Sequence, residues 1–195
     1  MKKNKRTLSF ITGNFHKFTE IKQILEQKEI DYQLLQQNLS PSEIQADSLQ
    51  EVAKIKLNSV KDRVEGSFFI EDAGFFVDSP LNGFPGVYSS YVFKTIGCEG
   101  IVKLIDDFER SRAHFSSIIA LYFEPKNEDI YFEGRVEGRV SEKPQGSGGF
   151  GFDPIFIPEG FPDKTFAEIS LEHKNQISHR GKALDKLIQY LNKNQ

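Results

Sequence analysis

The segment TLSFITGNFHK, at residues 7–17, decides the fold class of this 195-residue chain. Its first six residues form a short apolar run typical of a β-strand, and Gly13-Asn14 is a turn signal. Apolar residues then recur from Phe18 to Leu25 at the spacing of an amphipathic helix. The segment therefore predicts a strand that turns directly into a helix.

The same alternation continues to residue 72. A strand is predicted at residues 32–35, a helix follows the capping-box signature Ser48-Leu49-Gln50-Glu51, and a strand is predicted at residues 67–71. This β-α-β-α-β order predicts an α/β fold with helices on a largely parallel sheet. Ligands bind at the carboxyl ends of the strands in such sheets, so we expect residues 12–14 and Glu71-Asp72 to face one crevice.

The middle of the chain has a different pattern. Residues 113–123 and 130–140 are β-rich and predict a long hairpin, and residues 99–108 carry a helical pattern. A C-terminal amphipathic helix is predicted by Leu184, Leu187, Ile188 and Leu191. We found no repeat or low-complexity linker. We therefore expect a single domain over residues 1–195 with two lobes, the β-rich segment at about 113–158 extending the second.

Composition narrows the possible functions. Hydrophobic residues make up 38% of the chain and charged residues 27%, which excludes a disordered protein. The net charge of −3 gives no general attraction to nucleic acid, so a polyanionic ligand must meet a local cluster of Lys and Arg. Cys98 is the single cysteine, which excludes an intrachain disulfide and a cysteine-based metal site. The apolar runs are too short for a signal peptide or membrane span, and we expect a cytoplasmic protein.

Two segments carry candidate phosphate and metal chemistry. A glycine turn that opens a helix at residues 12–17 suits phosphate, with Lys17 adding a charge; the alternative is an Asn-capped helix with a solvated Lys. Glu71-Asp72 precedes a glycine and suits a hard cation, with Glu43 as a third candidate; the alternative is the start of a loop. Lys56, taken alone, is expected to be a solvent-facing helical lysine.

Two later segments could hold a flat or anionic ligand. Gly146, Gly148 and Gly151 match G-x-G-x-x-G, but a strand pattern follows where a dinucleotide site needs a helix. This loop is expected to present Phe150 and Phe152 to a flat ligand, the alternative being two core rings. The run at residues 173–180 is dense in polar and cationic groups before the last helix, with Ser178 as its N-cap. A ligand or acidic partner there is weighed against a solvated basic patch. No catalytic role is expected for His114.

These segments, taken in order, resemble the inosine triphosphate pyrophosphatase family, also called dITP/XTP pyrophosphatases. The resemblance covers essentially the whole chain. It rests on Thr12–Lys17, Glu43-Ile44-Gln45, Glu71-Asp72-Ala73-Gly74, LNGFPGVYS at residues 81–89, GFGFDPIF at residues 149–156, Thr165-Phe166-Ala167-Glu168 and Ser178-His179-Arg180.

The resemblance implies an elongated α/β fold with a mixed sheet, two lobes and a central cleft, in a homodimer. It implies hydrolysis of ITP, dITP and XTP to the monophosphate and pyrophosphate, with Mg²⁺ as cofactor. Mg²⁺ ligands are implied at Glu43 and Asp72, and Asp72 is also the implied catalytic proton acceptor. Substrate binding is implied for Lys56 and Ala73 and for the turn residues Thr12, Gly13, Asn14, Phe15, His16 and Lys17. Phe150 would stack on the base, with the pocket completed by Gly151, Phe152, Asp153, Lys174, His179 and Arg180.

Two departures from the family pattern leave alternatives open. Ala73 stands where many relatives have Ser or Thr, and Ser89-Ser90-Tyr91 lacks a basic residue that many relatives carry. These departures favour one rival, a non-catalytic purine-nucleotide-binding regulator on the same fold. A general nucleotide phosphatase, which releases orthophosphate, is a second rival. An RNA-binding protein is disfavoured by the acidic net charge.

Overall fold

The computed structural model describes residues 6–28, 30–161 and 163–194. Its strands are β1 (Arg6–Ile11), β2 (Tyr32–Gln37), β3 (Phe68–Ser79), β4 (Phe84–Gly86), β5 (Arg112–Phe123), β6 (Glu128–Val140) and β7 (Phe156–Pro158). Its α-helices are α1 (Phe15–Gln27), α2 (Leu49–Val60), α3 (Ser89–Thr95), α4 (Gly97–Val102), α5 (Leu171–Ile177) and α6 (His179–Lys193). Short 3-10 turns lie at Lys61–Arg63, Glu124–Lys126 and Asp153–Ile155.

The strands form one mixed seven-stranded sheet in the order β2-β1-β3-β5-β6-β7, with β4 paired to β3. Strand β1 pairs in parallel with β2 and with β3, as the β-α-β-α-β pattern predicted. Strand β4 runs antiparallel to β3, and β7 runs antiparallel to β6. The predicted α/β class is confirmed, and strands β1, β2 and β3 are parallel to one another.

Helix ends follow local side-chain chemistry. Asn14 caps α1 by accepting a hydrogen bond from the Lys17 amide at 3.1 Å. Ser48 caps α2 by accepting from the Glu51 amide at 3.2 Å, which confirms the capping box. Ser178 precedes α6 and accepts from the Gly181 amide at 3.1 Å, which confirms the predicted N-cap.

The strand predicted at residues 67–71 is much longer in the structure. Glu71 and Asp72 lie inside β3, so the expectation that they end a strand is wrong. The alternative of a loop beginning here is also wrong, because Gly74 lies within β3 and marks a close approach of backbone: a side chain there would meet the Gly86 carbonyl of β4 at 2.6 Å. The glycine therefore lets β4 pack against a continuing strand.

Two helical predictions also need correction. The pattern at residues 99–108 predicted one helix, but α4 ends at Val102. The amides of Leu104 and Ile105 then bond three residues back, to Ile101 and Val102, which is a tighter turn than an α-helix makes. Helix α5 was not predicted, because it is seven residues long and its buried residues, Lys174 and Asn175, are polar.

The chain divides into two compact units. The first comprises residues 1–72, 118–133 and 183–195, and the second comprises residues 73–117 and 134–182. The core of the first unit contains Leu8, Phe10, Ile21, Ile24, Phe69, Leu121, Leu184 and Leu187. The core of the second unit contains Phe75, Val77, Ile101, Phe115, Val140, Phe152, Phe156 and Phe166. Each unit thus has its own apolar core.

Candidate functional site

The turn after β1 is held by its own polar groups. The Asn14 amide donates to Thr12 Oγ1 at 3.1 Å, and the Asn14 side chain caps α1. Phe15 is the most exposed large apolar residue described, at 72%, and its ring contacts that of His16 edge-on. Two amide groups of this turn are therefore already used internally, and phosphate binding at residues 12–17 stays a prediction.

Lys17 is not the solvated lysine of the alternative reading. Its ammonium lies 2.7 Å from Glu71 Oε2, with side-chain exposures of 17% and 0%. It also donates to the Glu71 backbone carbonyl at 3.2 Å. The helix that follows β1 is thereby joined to β3 through a buried carboxylate.

Lys56 on α2 lies between two carboxylates. Its ammonium is 2.9 Å from Glu43 Oε2 and 3.1 Å from Asp72 Oδ2. The Lys56 side chain is 12% exposed, so the expectation of a solvent-facing lysine is wrong. Burial lowers the pKa of Lys56, but attraction to Asp72 and hydrogen bonds to both carboxylates outweigh it and raise the pKa.

The two carboxylates fit a hard divalent cation. Glu43 and Asp72 supply only oxygen donors, and a positive charge already bridges them. Mg²⁺ is usually bound by one or two carboxylates, with waters and phosphates completing its shell. Glu43 is 74% exposed, so its side chain has room to reorient toward an ion.

Adjacent carboxylates on β3 have separate partners. Glu71 pairs with Lys17, and Asp72 pairs with Lys56. Successive side chains of a strand point to opposite faces of the sheet, which accounts for this separation. The structure therefore brings together Lys17 with Glu71, and Glu43 with Lys56 and Asp72, all within the first unit.

In the second unit, Asp153 organises a different group. Its Oδ2 lies 2.6 Å from Lys174 Nζ, and both side chains are at most 4% exposed. The same oxygen accepts a hydrogen bond from the Phe150 amide at 2.7 Å. Gly149 has a positive φ of 67°, and a side chain there would collide with the Asp153 carboxylate. One carboxylate thus fixes both a buried lysine and the glycine-rich loop.

Two cations lie over the Phe150 ring. The Lys174 ammonium is 5.2 Å from the ring centroid, and the Arg180 guanidinium carbon is 5.4 Å from it. Arg180 is 2% exposed, and His179 is 3% exposed and stacked on Phe115 at 4.8 Å. The cationic run at residues 173–180 is therefore built into the unit, and the alternative of a solvated patch is wrong.

Phe152 belongs to the core. It is 3% exposed and its ring lies 5.1 Å from that of Phe75 and 5.3 Å from that of Phe93. The expectation that both loop rings face a ligand is wrong for Phe152, whose ring fills the apolar interior. Phe150, which is partly buried and next to the two cations, remains the candidate for stacking.

The two departures from the family pattern lie in different settings. Ala73 is partly buried within β3 and has no polar side-chain atom. Ser89 is structural, since its hydroxyl accepts from the Phe75 amide at 2.7 Å and donates to the Gly86 carbonyl at 2.6 Å. Ser90 is exposed beside it on α3.

A further polar group was missed from the sequence. Asp78, His114 and Glu137 can each offer one ligand atom to a metal ion, and these atoms lie within 4.8 Å of one another. The one available signal was His114 in a mostly buried strand, and no catalytic role was expected for it. Only the pairing of β3, β5 and β6 as neighbours brings the three residues together.

The family of the chain follows from comparison with known proteins. Residues 8–190 match the sequence profile of the Ham1 family. The chain belongs to the Ham1 family. This membership confirms the resemblance drawn from the spaced motifs. Among the helices described, none combines the length and apolar character needed to cross a membrane.

Named relatives and solved structures agree with this membership. The chain is 50% identical to the dITP/XTP pyrophosphatase of Thermococcus kodakarensis over 188 residues, covering 96% of this chain and 98% of that protein. It is 44% identical to the dITP/XTP pyrophosphatase of Methanopyrus kandleri over 185 residues, covering 95% and 96%. The fold is similar to that of the Staphylococcus aureus Ham1 protein, with a TM-score of 0.82, 28% identity, and coverage of 97% of this chain and all of that chain (100%).

Proposed function

We propose that this Ham1-family chain is a Mg²⁺-dependent pyrophosphatase that hydrolyses ITP, dITP and XTP to the nucleoside monophosphate and pyrophosphate. The observation that carries the proposal is the Glu43–Lys56–Asp72 group, which combines metal-compatible carboxylates with a phosphate-compatible ammonium. Relatives that are 44% and 50% identical across nearly the whole chain are named dITP/XTP pyrophosphatases. The reaction removes non-standard purine nucleotides from the nucleotide pool, and we place it in the cytoplasm.

The first unit handles the triphosphate. Lys17 and Lys56 contribute positive charge, and the turn at residues 12–16 contributes amide groups at the start of α1. Glu43 and Asp72 hold the metal ion. When bound, Mg²⁺ would neutralise negative charge on the phosphates. Lys17 and Lys56 remain held by Glu71 and Asp72, so their positions are set before the substrate arrives.

The chemical step needs positioning and charge neutralisation more than covalent help from the protein. The oxygen of a water molecule bonds to phosphorus, the α–β phosphoanhydride bond breaks, and pyrophosphate leaves. The Asp72 carboxylate accepts the proton that the water gives up, and Lys56, at 3.1 Å, holds that carboxylate in place. The two lysine ammonium groups stabilise the negative charge that develops on the leaving group.

The second unit recognises the base. Phe150 stacks on the purine, and Lys174, His179 and Arg180 supply donors for the oxygen at position 6. Adenine carries an amino group at that position, which would leave buried donors unpaired, a cost of about 1–3 kcal/mol for each group. The Asp153 bonds to Lys174 and to the Phe150 amide support this role, because they fix a donor and the stacking ring together. Gly151 and Phe152 shape the loop, and Ala73 contributes only backbone groups.

The proposal is tested by product analysis. The protein is incubated with ITP, dITP, XTP, ATP or GTP in the presence and absence of Mg²⁺, and the product is identified as pyrophosphate or orthophosphate. Pyrophosphate is expected from the first three, and chelation should abolish it. Orthophosphate would indicate a general phosphatase, and ITP binding without turnover would indicate a non-catalytic regulator.

Asp72→Asn tests the assignment of the metal and the proton acceptor. Loss of the carboxylate should lower kcat by about 10²–10⁴-fold, the usual contribution of a positioned acid–base group. Asp72 is partly exposed, so the fold should be retained. Asp129→Asn is the matched control, because Asp129 also pairs with a lysine of the first unit, Lys61. Equal activity of Asp72→Asn and the control would contradict the assignment.

We further propose a homodimer formed through the second unit. Six of the ten exposed large apolar residues described lie in residues 84–104: Phe84, Tyr88, Tyr91, Phe93, Ile96 and Leu104. An apolar surface of this kind suits an isologous interface between two copies. Light scattering should give twice the mass of one chain (22.3 kDa), and Tyr91→Lys should shift the protein to monomer. Leu35→Lys, at an exposed apolar residue of the first unit, should leave the mass unchanged.

A further inference from the structure

The second unit carries a polar group that the proposed reaction does not use. Asp78 on β3, His114 on β5 and Glu137 on β6 come from three neighbouring strands. Asp78 Oδ2 lies 2.7 Å from His114 Nδ1. None of the three is among the residues proposed to bind the triphosphate, the metal ion or the purine base. Because the strands are side by side, the pairing of the sheet fixes the spacing of the three side chains.

His114 is held rigidly in this group. Its side chain is 7% exposed, and its ring stacks on Phe76 at 4.5 Å with an interplanar angle of 4°. The stack fixes the plane of the imidazole, and Asp78 fixes which edge faces the carboxylates. The ring nitrogen of His114 contacts Asp78, and stacking on Phe76 alone does not require a nitrogen at this position.

The two carboxylates are accessible to solvent. The Asp78 side chain is 38% exposed and that of Glu137 is 47% exposed. Arg135, two residues before Glu137 on the same face of β6, donates to both Glu137 oxygens. An ion reaching this group would therefore find one buried nitrogen and two oxygens at the surface, with Arg135 orienting one carboxylate from outside.

The spacing suits a small divalent ion. The three ligand atoms lie within 4.8 Å of one another, and Asp78 Oδ2 is 2.7 Å from His114 Nδ1. Zinc bonds of about 2.0–2.2 Å to nitrogen and oxygen place two ligands of a tetrahedral ion about 3.3–3.6 Å apart. That separation falls within the 4.8 Å spread of the three atoms, and it is reached when the exposed Asp78 and Glu137 side chains shift, Glu137 away from its bonds to Arg135.

We propose that Asp78, His114 and Glu137 form a second metal site, for a divalent transition-metal ion such as Zn²⁺, that joins β3, β5 and β6. The imidazole selects for such ions over Mg²⁺, which prefers oxygen ligands alone. Binding replaces the hydrogen bond between Asp78 and His114, so Nδ1 must carry no proton in the bound state. A water molecule completes the shell on the exposed side.

The test is Zn²⁺ titration by calorimetry on tag-free, metal-stripped protein with excess Mg²⁺. The titration is done in the Asp72→Asn background, where the proposed catalytic metal site is impaired. One equivalent of Zn²⁺ should bind. At 100 times its dissociation constant, it should raise Tm by about 5–10 °C. Absence of binding overturns the proposal, whatever the pyrophosphatase assay shows.

Three further variants locate the site. His114→Phe keeps the stack on Phe76 and should abolish binding. Glu137→Gln, at an exposed position that does not threaten folding, should weaken binding by about tenfold or more. Glu133→Gln is the matched control, because Glu133 lies on the same exposed face of β6. This variant should bind Zn²⁺ as tightly as the protein without that change. Zn²⁺ binding that persists in His114→Phe, or is unchanged in Glu137→Gln, overturns the three-ligand site.

Discussion

The buried Asp153–Lys174 pair provides a quantitative test of how Lys174 and the Phe150 loop are held in place. Replacing Asp153 with Asn should destabilise the protein by about 3–5 kcal/mol, the usual cost of breaking a buried ion pair. The side chains are 4% and 3% exposed and their charged atoms are 2.6 Å apart, so solvent screens this pair very little. Asn keeps the size of Asp and an oxygen that can accept from the Phe150 amide. The change therefore removes the charge and little else.

Lys61 and Asp129 form a second ion pair of similar length that is more exposed, so comparing the two pairs isolates the effect of burial on stability. Asp129 lies 2.7 Å from Lys61, but these side chains are 27% and 30% exposed. Asp129→Asn should cost about 0–1 kcal/mol, as exposed pairs do. For a chain of this length, 1 kcal/mol shifts Tm by about 2–4 °C. We therefore expect Tm to fall by about 6–20 °C in Asp153→Asn and by about 4 °C or less in Asp129→Asn.

Scanning calorimetry on the unmodified protein and three variants completes the test. The third variant, Asp153→Asn with Lys174→Met, also removes the buried ammonium. It should recover part of the lost stability, because the two residues are in contact and their effects are not additive. If Asp153→Asn is no less stable than Asp129→Asn, the buried pair does not organise the loop as we argue.

Two further predictions concern Phe150 in this loop and Cys98 on α4, whose thiol donates to the Gly151 carbonyl at 3.4 Å. Phe150→Ala should raise KM for ITP by about 5- to 150-fold, the equivalent of about 1–3 kcal/mol of base stacking, and an unchanged KM would remove this ring from base binding. Burial raises the pKa of the Cys98 thiol to about 11, with Asp153 and Glu99 adding to the effect. Cys98 alkylation should therefore rise with pH to a midpoint near pH 11, whereas the urea-unfolded chain should show a midpoint near the ordinary thiol pKa of 9.0. Coincident profiles would contradict this prediction.

Local signals made the first part of the fold predictable. Strand β1, the Asn14 cap and helix α1 follow from residues that are adjacent in sequence, as does the Ser48 capping box of α2. The spacing of apolar residues and the capping side chains are both local features, so a single sequence is enough to predict these elements. The parallel pairing of β1 with β2 and β3 then follows from the helices that join these strands, because a crossover helix returns the chain to the same end of the sheet.

Contacts between residues that are distant in sequence could not be predicted from local patterns. Gly74 has the same local pattern in a turn as in a strand packed closely against β4, and only the position of Gly86 distinguishes the two. Lys56 shows a similar limit, because one turn of α2 cannot reveal that Glu43 and Asp72 lie on either side of its ammonium. The resemblance to a family supplied what the local pattern lacked, since it carried the arrangement of distant segments.

Glu71 and Asp72 show why that arrangement matters for function. As neighbours in the sequence they are equally good metal ligands, and the residues alone gave no basis for choosing. The pleat of β3 sends them to opposite faces, where Glu71 is fully buried against Lys17 and Asp72 is partly exposed beside Lys56. An ion delivered with a nucleotide must be reached from solvent, and a carboxylate with no exposed surface cannot meet it without breaking its pair. Strand geometry therefore supports our proposal of Asp72 rather than Glu71 as the metal ligand.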